Sequence, residues 1–119
     1  MPLTDGVAAS IAAGATTNLF LGRASEFPGG ATPLTQQLFL DADAAGCTVA
    51  MLQNVGSLPL APIQSGTTIN VASAAGIGPK LDEDLMGTFP VPVGARQSLN
   101  VTNTTAAAVI VRYRNFFTP

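Results

Sequence analysis

The feature that most constrains the fold is a repeated alternation of apolar and polar residues, because successive side chains of a β-strand point to opposite faces. The alternation runs through Gln97–Thr102, stops at the turn-forming residues Asn103–Ala106 and resumes over Ala108–Arg114. In each run most of the apolar side chains fall on one face, although Ile110 lies on the other face with Arg112 and Arg114. Two such runs joined by a short polar turn predict a β-hairpin in the C-terminal third of the chain.

A second pair of alternating segments lies in the middle of the chain. Leu34–Leu40 carries leucine at three of the four positions of one face, and Cys47–Gln53 alternates in the same way. The residues between them, Asp41–Gly46, are small or acidic and end in glycine. This pattern predicts a second hairpin.

Further segments are typical of shorter strands, and prolines indicate where two of them lie. Weaker alternation predicts strands at Thr17–Leu21, Thr67–Val71 and Leu85–Phe89. Prolines interrupt Leu58–Ile63 and Phe89–Gly94, and proline cannot donate a ladder hydrogen bond. Both of these segments are therefore expected at sheet edges.

Helix signals are few. Thr4 and Asp5 are suited to cap a short helix over Val7–Ala13, and a single helical turn is expected around Leu81–Leu85. About eight short antiparallel strands predict an all-β fold, a single β-sandwich or jelly-roll-like domain spanning residues 1–119. The N-terminal 15 residues or so and residues 115–119 are candidate interaction arms.

Charge is scarce in this chain. Only 10% of its residues are charged, five basic and seven acidic, whereas about a quarter is usual for a soluble domain. Five scattered cations make no basic stripe for nucleic acid. The start of the chain has Asp5 in place of a positive signal-peptide region, and no apolar run reaches membrane-spanning length. We expect no nucleic-acid partner, no membrane partner and a surface covered by other protein.

The chain also lacks the usual chemistry of catalysis. It has no histidine, which removes the commonest general base and metal ligand, and no cofactor-binding motif is present. The single cysteine, Cys47, is interpreted as a small buried hydrophobe on a strand. Of the two acidic groups, Asp41 with Asp43 is interpreted as turn residues, and the run Asp82–Asp84 as a solvated loop. Whether either group binds a cation stays open. We predict no catalytic, cofactor or metal site.

The C-terminal strand provides the candidate interface residues. Arg112 and Arg114 lie on one strand face and are placed to pair with carboxylates of a neighbouring chain, because arginine is enriched at interfaces. Phe116 and Phe117 follow them outside the alternating run. The two rings are expected either to cover the end of the sandwich or to contact a neighbour.

The last third resembles small structural proteins of viruses and bacteriophages, such as head decoration (cement) proteins, minor capsid proteins and similar jelly-roll modules. The resemblance is carried by the turn at Phe89–Gly94, the strand at Gln97–Thr102, and the turn at Asn103–Ala106 leading into Val109–Tyr113. It implies a homo-oligomer, often a trimer, that binds a lattice of major capsid protein in a virion.

Three classes of function remain after the sequence alone. The first is a non-enzymatic structural protein that self-associates or docks on a larger assembly, most specifically a virion. The second is a ligand- or carbohydrate-binding module, which needs aromatic side chains on an exposed sheet face. The third is an enzyme whose acidic groups converge in a cleft. Outside a virion, we expect a soluble chain made in the cytoplasm without a signal peptide.

Overall fold

Eight β-strands and one short 3₁₀ turn make up the regular structure of the computed structural model, which describes residues 3–28, 32–55, 58–71, 78–81 and 83–119. The 3₁₀ turn covers Ala24–Glu26. The strands are β1 (Leu3–Ile11), β2 (Thr16–Asn18), β3 (Leu34–Ala42), β4 (Cys47–Val55), β5 (Ala61–Thr68), β6 (Leu85–Val91), β7 (Ala95–Asn103) and β8 (Val109–Thr118).

The strands form two four-stranded sheets in which every paired strand is antiparallel. Sheet A has the order β1-β8-β3-β6, and sheet B has the order β2-β7-β4-β5. The pairs β1 with β8, β2 with β7, β3 with β6 and β4 with β5 are those of one long hairpin wrapped into two layers. This is the jelly-roll arrangement, so the predicted fold class is confirmed.

The hairpin predicted across Asp41–Gly46 is wrong, although both of its strands exist. β3 belongs to sheet A and β4 to sheet B, so the four residues between them carry the chain from one layer to the other. Gly46 has a φ of 108°, and a Cβ there would collide with Thr105. Glycine is required at this crossing because it alone tolerates both the left-handed backbone and the close approach.

The C-terminal hairpin is wrong for the same reason. β7 lies in sheet B and β8 in sheet A, and their connection also crosses between the layers. The buried Asn103 side chain holds this crossing, since its Nδ2 donates to the carbonyls of Ile11 (3.0 Å) and Ala107 (2.8 Å). Its Oδ1 accepts hydrogen bonds from the backbone N–H and the hydroxyl of Thr105.

Other expectations divide clearly. The helix over Val7–Ala13 is wrong: β1 runs to Ile11, and its half-buried and exposed residues alternate with the period of a strand. The single helical turn expected around Leu81–Leu85 is described only in part, because residue 82 lies outside the described residues. The N–H groups of Glu83 and Asp84 both donate to the Lys80 carbonyl, and Leu85 already begins β6. Both proline-containing segments contribute to edge strands, β5 and β6, as predicted.

The main core lies between the two sheets and contains residues from both. It includes Ile11 of β1, Leu40 of β3, Met51 of β4, Leu99 of β7 and Tyr113 of β8. A second, smaller apolar cluster consists of Val91, Ala95 and Phe117, with Leu34 packed against it. The interior also contains fully buried polar side chains.

Candidate functional site

The four candidate interface residues lie on both faces of β8. Arg112, Arg114 and Phe116 point away from the sandwich, whereas Phe117 points inward and is fully buried in the smaller apolar cluster. The alternation that begins at Val109 therefore continues to the end of β8. The two ends of the chain, predicted as arms, pair with each other in sheet A, where Thr4 lies opposite Phe116.

Arg112 has its carboxylate partners within this chain. Its Nε donates to Asp41 Oδ1 at 2.9 Å and its Nη2 donates to Asp43 Oδ1 at 2.6 Å. Asp41 lies directly opposite Arg112 on β3, so the register of sheet A brings the two together. Arg112 thus has two carboxylate partners within its own chain, and its pairing with a neighbouring chain stays a prediction.

This ion cluster is buried on the outer side of sheet A. Asp41 is only 1% exposed, and burial raises its pKa even though Arg112 opposes that shift. The hydrogen bond to Asp43 is the largest of the effects that raise the pKa of Arg112. The Arg112 guanidinium therefore engages both carboxylates of this candidate cation site, Asp41 and Asp43. It also neutralises two of the carboxylates that an enzyme based on acidic groups would use.

Arg114 and Phe116 are the two candidate interface residues with accessible surface. The Phe116 ring meets Phe39 of β3 edge-on, with centroids 5.7 Å apart and planes at 86°. Beside it lies a shallow groove of about 460 Å³, lined by Thr4, Asp5, Gly6, Arg114 and Phe116. The part they play at an interface stays a prediction.

The second acidic run forms a closed turn as far as it is described. Asp82 lies outside the described residues. Asp84 is buried and accepts hydrogen bonds from the Lys80 N–H (2.8 Å) and from Asn70 Nδ2 (3.3 Å). Among the residues that the structure describes, no three histidine, cysteine or acidic side chains come together as metal ligands.

A chain of polar side chains runs through the interior, and sequence reasoning missed it. Gln36, Gln97 and Asn115 each occupy an inward position on a different strand, and each is fully buried. Gln97 Nε2 donates to Gln36 Oε1 (2.7 Å), and Gln36 Nε2 donates to Asn115 Oδ1 (3.0 Å). The sequence did contain a signal for it: each of these polar residues falls on the same strand face as the apolar residues of its own alternating run.

Both ends of this interior polar chain reach the backbone or the surface. At one end, Gln97 Nε2 also donates to Gln53 Oε1 (2.8 Å), and Gln53 Nε2 in turn donates to the Pro90 carbonyl. At the other end, Asn115 Nδ2 donates to Ser25 Oγ at 2.8 Å. A strand slip of two residues would keep the apolar alternation but break these bonds, so the interior polar chain specifies the register.

Asp5 of β1 terminates the interior polar chain. Its carboxylate accepts hydrogen bonds from Tyr113 Oη (2.7 Å), Ser25 Oγ (2.8 Å) and Arg23 Nη2 (2.9 Å). Burial disfavours its charged form, but these bonds and the Arg23 charge outweigh burial and lower the pKa of Asp5 to about 2. Burial and the bond to Asp5 in turn raise the pKa of Tyr113 to about 12.

Cys47 is buried in the main core at the start of β4. Burial raises the pKa of its thiol, which keeps the sulfur protonated and unreactive. The interpretation of Cys47 as a small buried hydrophobe is confirmed.

The exterior has even less charge than the composition suggests. Glu26, Asp41, Asp84 and Arg112 are all buried, so a third of the twelve charged residues contribute almost nothing to the surface. Among the residues that the structure describes, ten large apolar side chains are instead exposed, including Leu58, which is 67% accessible. The others are Leu21, Phe27, Val55, Ile63, Val71, Leu81, Leu85, Val93 and Ile110.

The ligand-binding alternative needs exposed aromatic rings on a sheet face. Within the described part of the chain, Phe27 is the only aromatic residue among the exposed large apolar side chains. It lies in the connection between β2 and β3. The Arg96 guanidinium covers its ring at 5.8 Å from the centroid. Phe27 therefore offers no stacking platform on a sheet face, and Phe116, on the outer face of sheet A, is partly buried.

Comparison with known proteins places the chain near few others. The chain matches no known protein family and none of the curated proteins. It is similar to a solved structure described by the words "Bacillus endospore appendages form a novel family of disulfide-linked pili". The match has 13% identity and a TM-score of 0.37, covering 98% of this chain and 87% of the other. An overlap this low carries no argument about function, so the jelly-roll class rests on the strand order alone.

The described residues contain no helix with the length and apolarity of a membrane span.

Proposed function

We propose that this protein is a structural building block that associates with copies of itself or docks on a larger protein assembly, and that it acts by binding without chemistry. The observation that carries this proposal is the exterior of the described residues, where the buried Arg112–Asp41 ion pair removes charge and ten large apolar side chains are exposed. Interfaces deplete lysine and glutamate in the same way, and this chain has one lysine and two glutamates.

The interior supports a building block whose shape is fixed before it binds. The ion cluster at Arg112 joins β3 to β8, and the interior polar chain links residues of both sheets. A subunit that is already ordered loses little conformational freedom on association, so more of its contact energy remains as affinity. Binding only the assembled state then stabilises that assembly by mass action.

We further propose that the assembly is a virion, with this chain as a decoration or minor capsid component on a lattice of major capsid protein. Two observations support this finer step. The strand order is the jelly-roll order that viral capsid domains use. The exposed apolar side chains are distributed over four strands and several connections, as a subunit covered on more than one side requires.

Two measurements test these proposals separately. Sedimentation velocity of the purified protein is expected to show a mass above the 12.0 kDa of one chain. Virus-like particles from the source of the chain, separated on a density gradient, are expected to carry it in fixed stoichiometry. Particles without the chain would overturn the virion assignment, and a monomer that also binds no particle would overturn the structural role.

A further inference from the structure

The four edge strands of the two sheets differ sharply in how they are protected. β2 is only three residues long, and short edges template little pairing. β5 contains Pro62, and its pairing with β4 is irregular on both sides of Met51. β6 contains Pro90, and its register with β3 shifts between Leu38 and Phe39. Proline and bulges are devices that block pairing with another chain.

β1 has none of these protections. It is nine residues long, contains no proline and pairs with β8 in one continuous register from Leu3 to Ile11. Its one charged side chain, Asp5, accepts a hydrogen bond from Tyr113, so its charge does not protect the edge against pairing. The outward row is small and uncharged, consisting of Thr4, Gly6, Ala8 and Ser10.

Backbone geometry identifies which β1 residues face the open edge. Leu40 lies opposite Tyr113, but its N–H donates to the Asp84 carbonyl (3.1 Å) beside β6. The N–H and C=O of a strand residue point to the same side of the strand. Because those of Leu40 point toward β6, Leu40 and Tyr113 do not bond each other. The N–H and C=O of Tyr113 therefore point away from β3 and toward Val7 on β1. Val7 therefore bonds β8, and its neighbours Gly6 and Ala8 point outward.

Two hydrogen-bonding observations agree with this assignment. The Gly6 carbonyl accepts a hydrogen bond from Arg23 Nη2 (2.8 Å), which a carbonyl already bonded within the sheet would offer less readily. A carbonyl oxygen accepts two hydrogen bonds, so this contact leaves room for a second donor. Within the described residues, the N–H of Ala8 has no backbone partner outside the strand ladder.

We propose that β1 pairs antiparallel with β1 of a second copy of this chain, extending sheet A into one continuous eight-stranded sheet. This inference rests on the proposed self-association and names its surface. A two-fold axis at Val7 overlaps all nine residues and sets Gly6 opposite Ala8 of the second copy. Asp5 then faces Ala9, which keeps the two Asp5 carboxylates about 13 Å apart along the strands.

A second copy fits this edge for reasons that the strand itself provides. The outward row is made of small side chains throughout, so two identical rows can lie side by side without collision. The same patch meets itself across a two-fold axis, which closes the assembly at a dimer. Main-chain hydrogen bonds supply the attraction, as in other cases of strand addition.

The test uses the full chain with Ala8→Pro, which removes an N–H that points to the open edge, and Ala8→Ser as the matched control. Sedimentation equilibrium over a concentration series is expected to show a dimer for the wild type and Ala8→Ser. Ala8→Pro is expected to be a monomer, with the wild-type circular dichroism spectrum showing that it folds.

A charge exchange keeps the proposal falsifiable if Ala8→Pro does not fold. Ala8→Lys and Ala8→Glu each place like charges at diagonal positions across the axis, about 7–8 Å apart, so each alone is expected to weaken the dimer by up to about fivefold. An equimolar mixture of the two is expected to regain the dimer.

The outcomes separate this inference from the proposed function. An oligomer that persists unchanged in folded Ala8→Pro, or in Ala8→Lys and Ala8→Glu alone, overturns pairing through β1 but leaves self-association through another surface. A wild-type trimer overturns the two-fold arrangement. A wild-type monomer at every concentration overturns this inference, and only its absence from any particle as well would overturn the proposed function.

Discussion

Asp5→Asn is the substitution that tests the interior polar chain most directly. The Asp5 carboxylate accepts hydrogen bonds from Tyr113, Ser25 and Arg23, and its pKa falls from an ordinary 3.8 to about 2. At about 1.4 kcal/mol per pKa unit, that difference corresponds to about 2 kcal/mol of stability held by the charged form. The neutral amide keeps the shape of the side chain but loses the charge that these donors stabilise.

The sign of the pH dependence follows from the direction of the shift. Between pH 4 and pH 2 the unfolded chain binds a proton at Asp5 and the folded chain does not. The contribution of Asp5 is therefore complete above its unfolded pKa and is lost as the pH falls toward 2. The asparagine variant has no such proton to bind, so the stability difference between the two proteins isolates this one group.

Urea unfolding followed by circular dichroism, measured from pH 7 to pH 2, provides the assay. At pH 7 we expect Asp5→Asn to be less stable by about 2–4 kcal/mol, because charged hydrogen bonds and an ion pair are lost together. The difference should narrow by about 2 kcal/mol on acidification. Glu83→Gln, on an exposed side chain, is the control and should show a small difference throughout. A difference for Asp5→Asn that does not change with pH would refute the reasoning.

Three further sets of substitutions test other parts of the structure by the same unfolding measurement. Arg112→Met should lower the free energy of unfolding by about 3–5 kcal/mol, because the buried Asp41 carboxylate is left without its partner. Adding Asp41→Leu should recover most of that loss. A double variant as unstable as Arg112→Met alone would contradict this reasoning. Phe117→Ala should lower the free energy of unfolding by about 3–5 kcal/mol because the ring is fully buried, and Phe116→Ala by about half as much. Equal losses for the two variants would contradict the inward position of Phe117 and the outward position of Phe116. Gln36→Leu should cost about 1–3 kcal/mol because the buried Asn115 Oδ1 loses its donor and Gln97 Nε2 loses one of its two acceptors, and a gain in stability would show that these bonds matter less than apolar packing.

The sequence by itself determined most of the strands and which side of each strand faces inward. Leu38 and Leu40 in β3, and Leu99 and Val101 in β7, are buried as their alternation predicts. Alternation is a local property, because it depends only on successive side chains pointing to opposite faces. The prolines likewise located the edge segments, since a missing N–H excludes a central position whatever the neighbouring strand is.

The site residues could be predicted only in part for a related reason. Arg112 was identified as a charge on an outward face, but its partner Asp41 is far away in sequence and lies beside it only because β3 and β8 are neighbours. The same holds for the interior polar chain, where Gln36 and Gln97 come from different sheets. A lone polar residue on an inward strand face breaks the apolar pattern, but the sequence does not show which residue is its hydrogen-bond partner.

Only the tertiary structure decided how the strands are arranged. Both predicted hairpins have the right strands and the wrong connection, because consecutive strands of a sandwich turn apolar faces inward whether they lie side by side or in opposite layers. The alternation is identical in the two cases. What distinguishes them is whether a short connection such as 43–46 or 104–108 crosses the roughly 10 Å between the sheets, and contacts with distant residues such as Thr105 against Gly46 fix that choice.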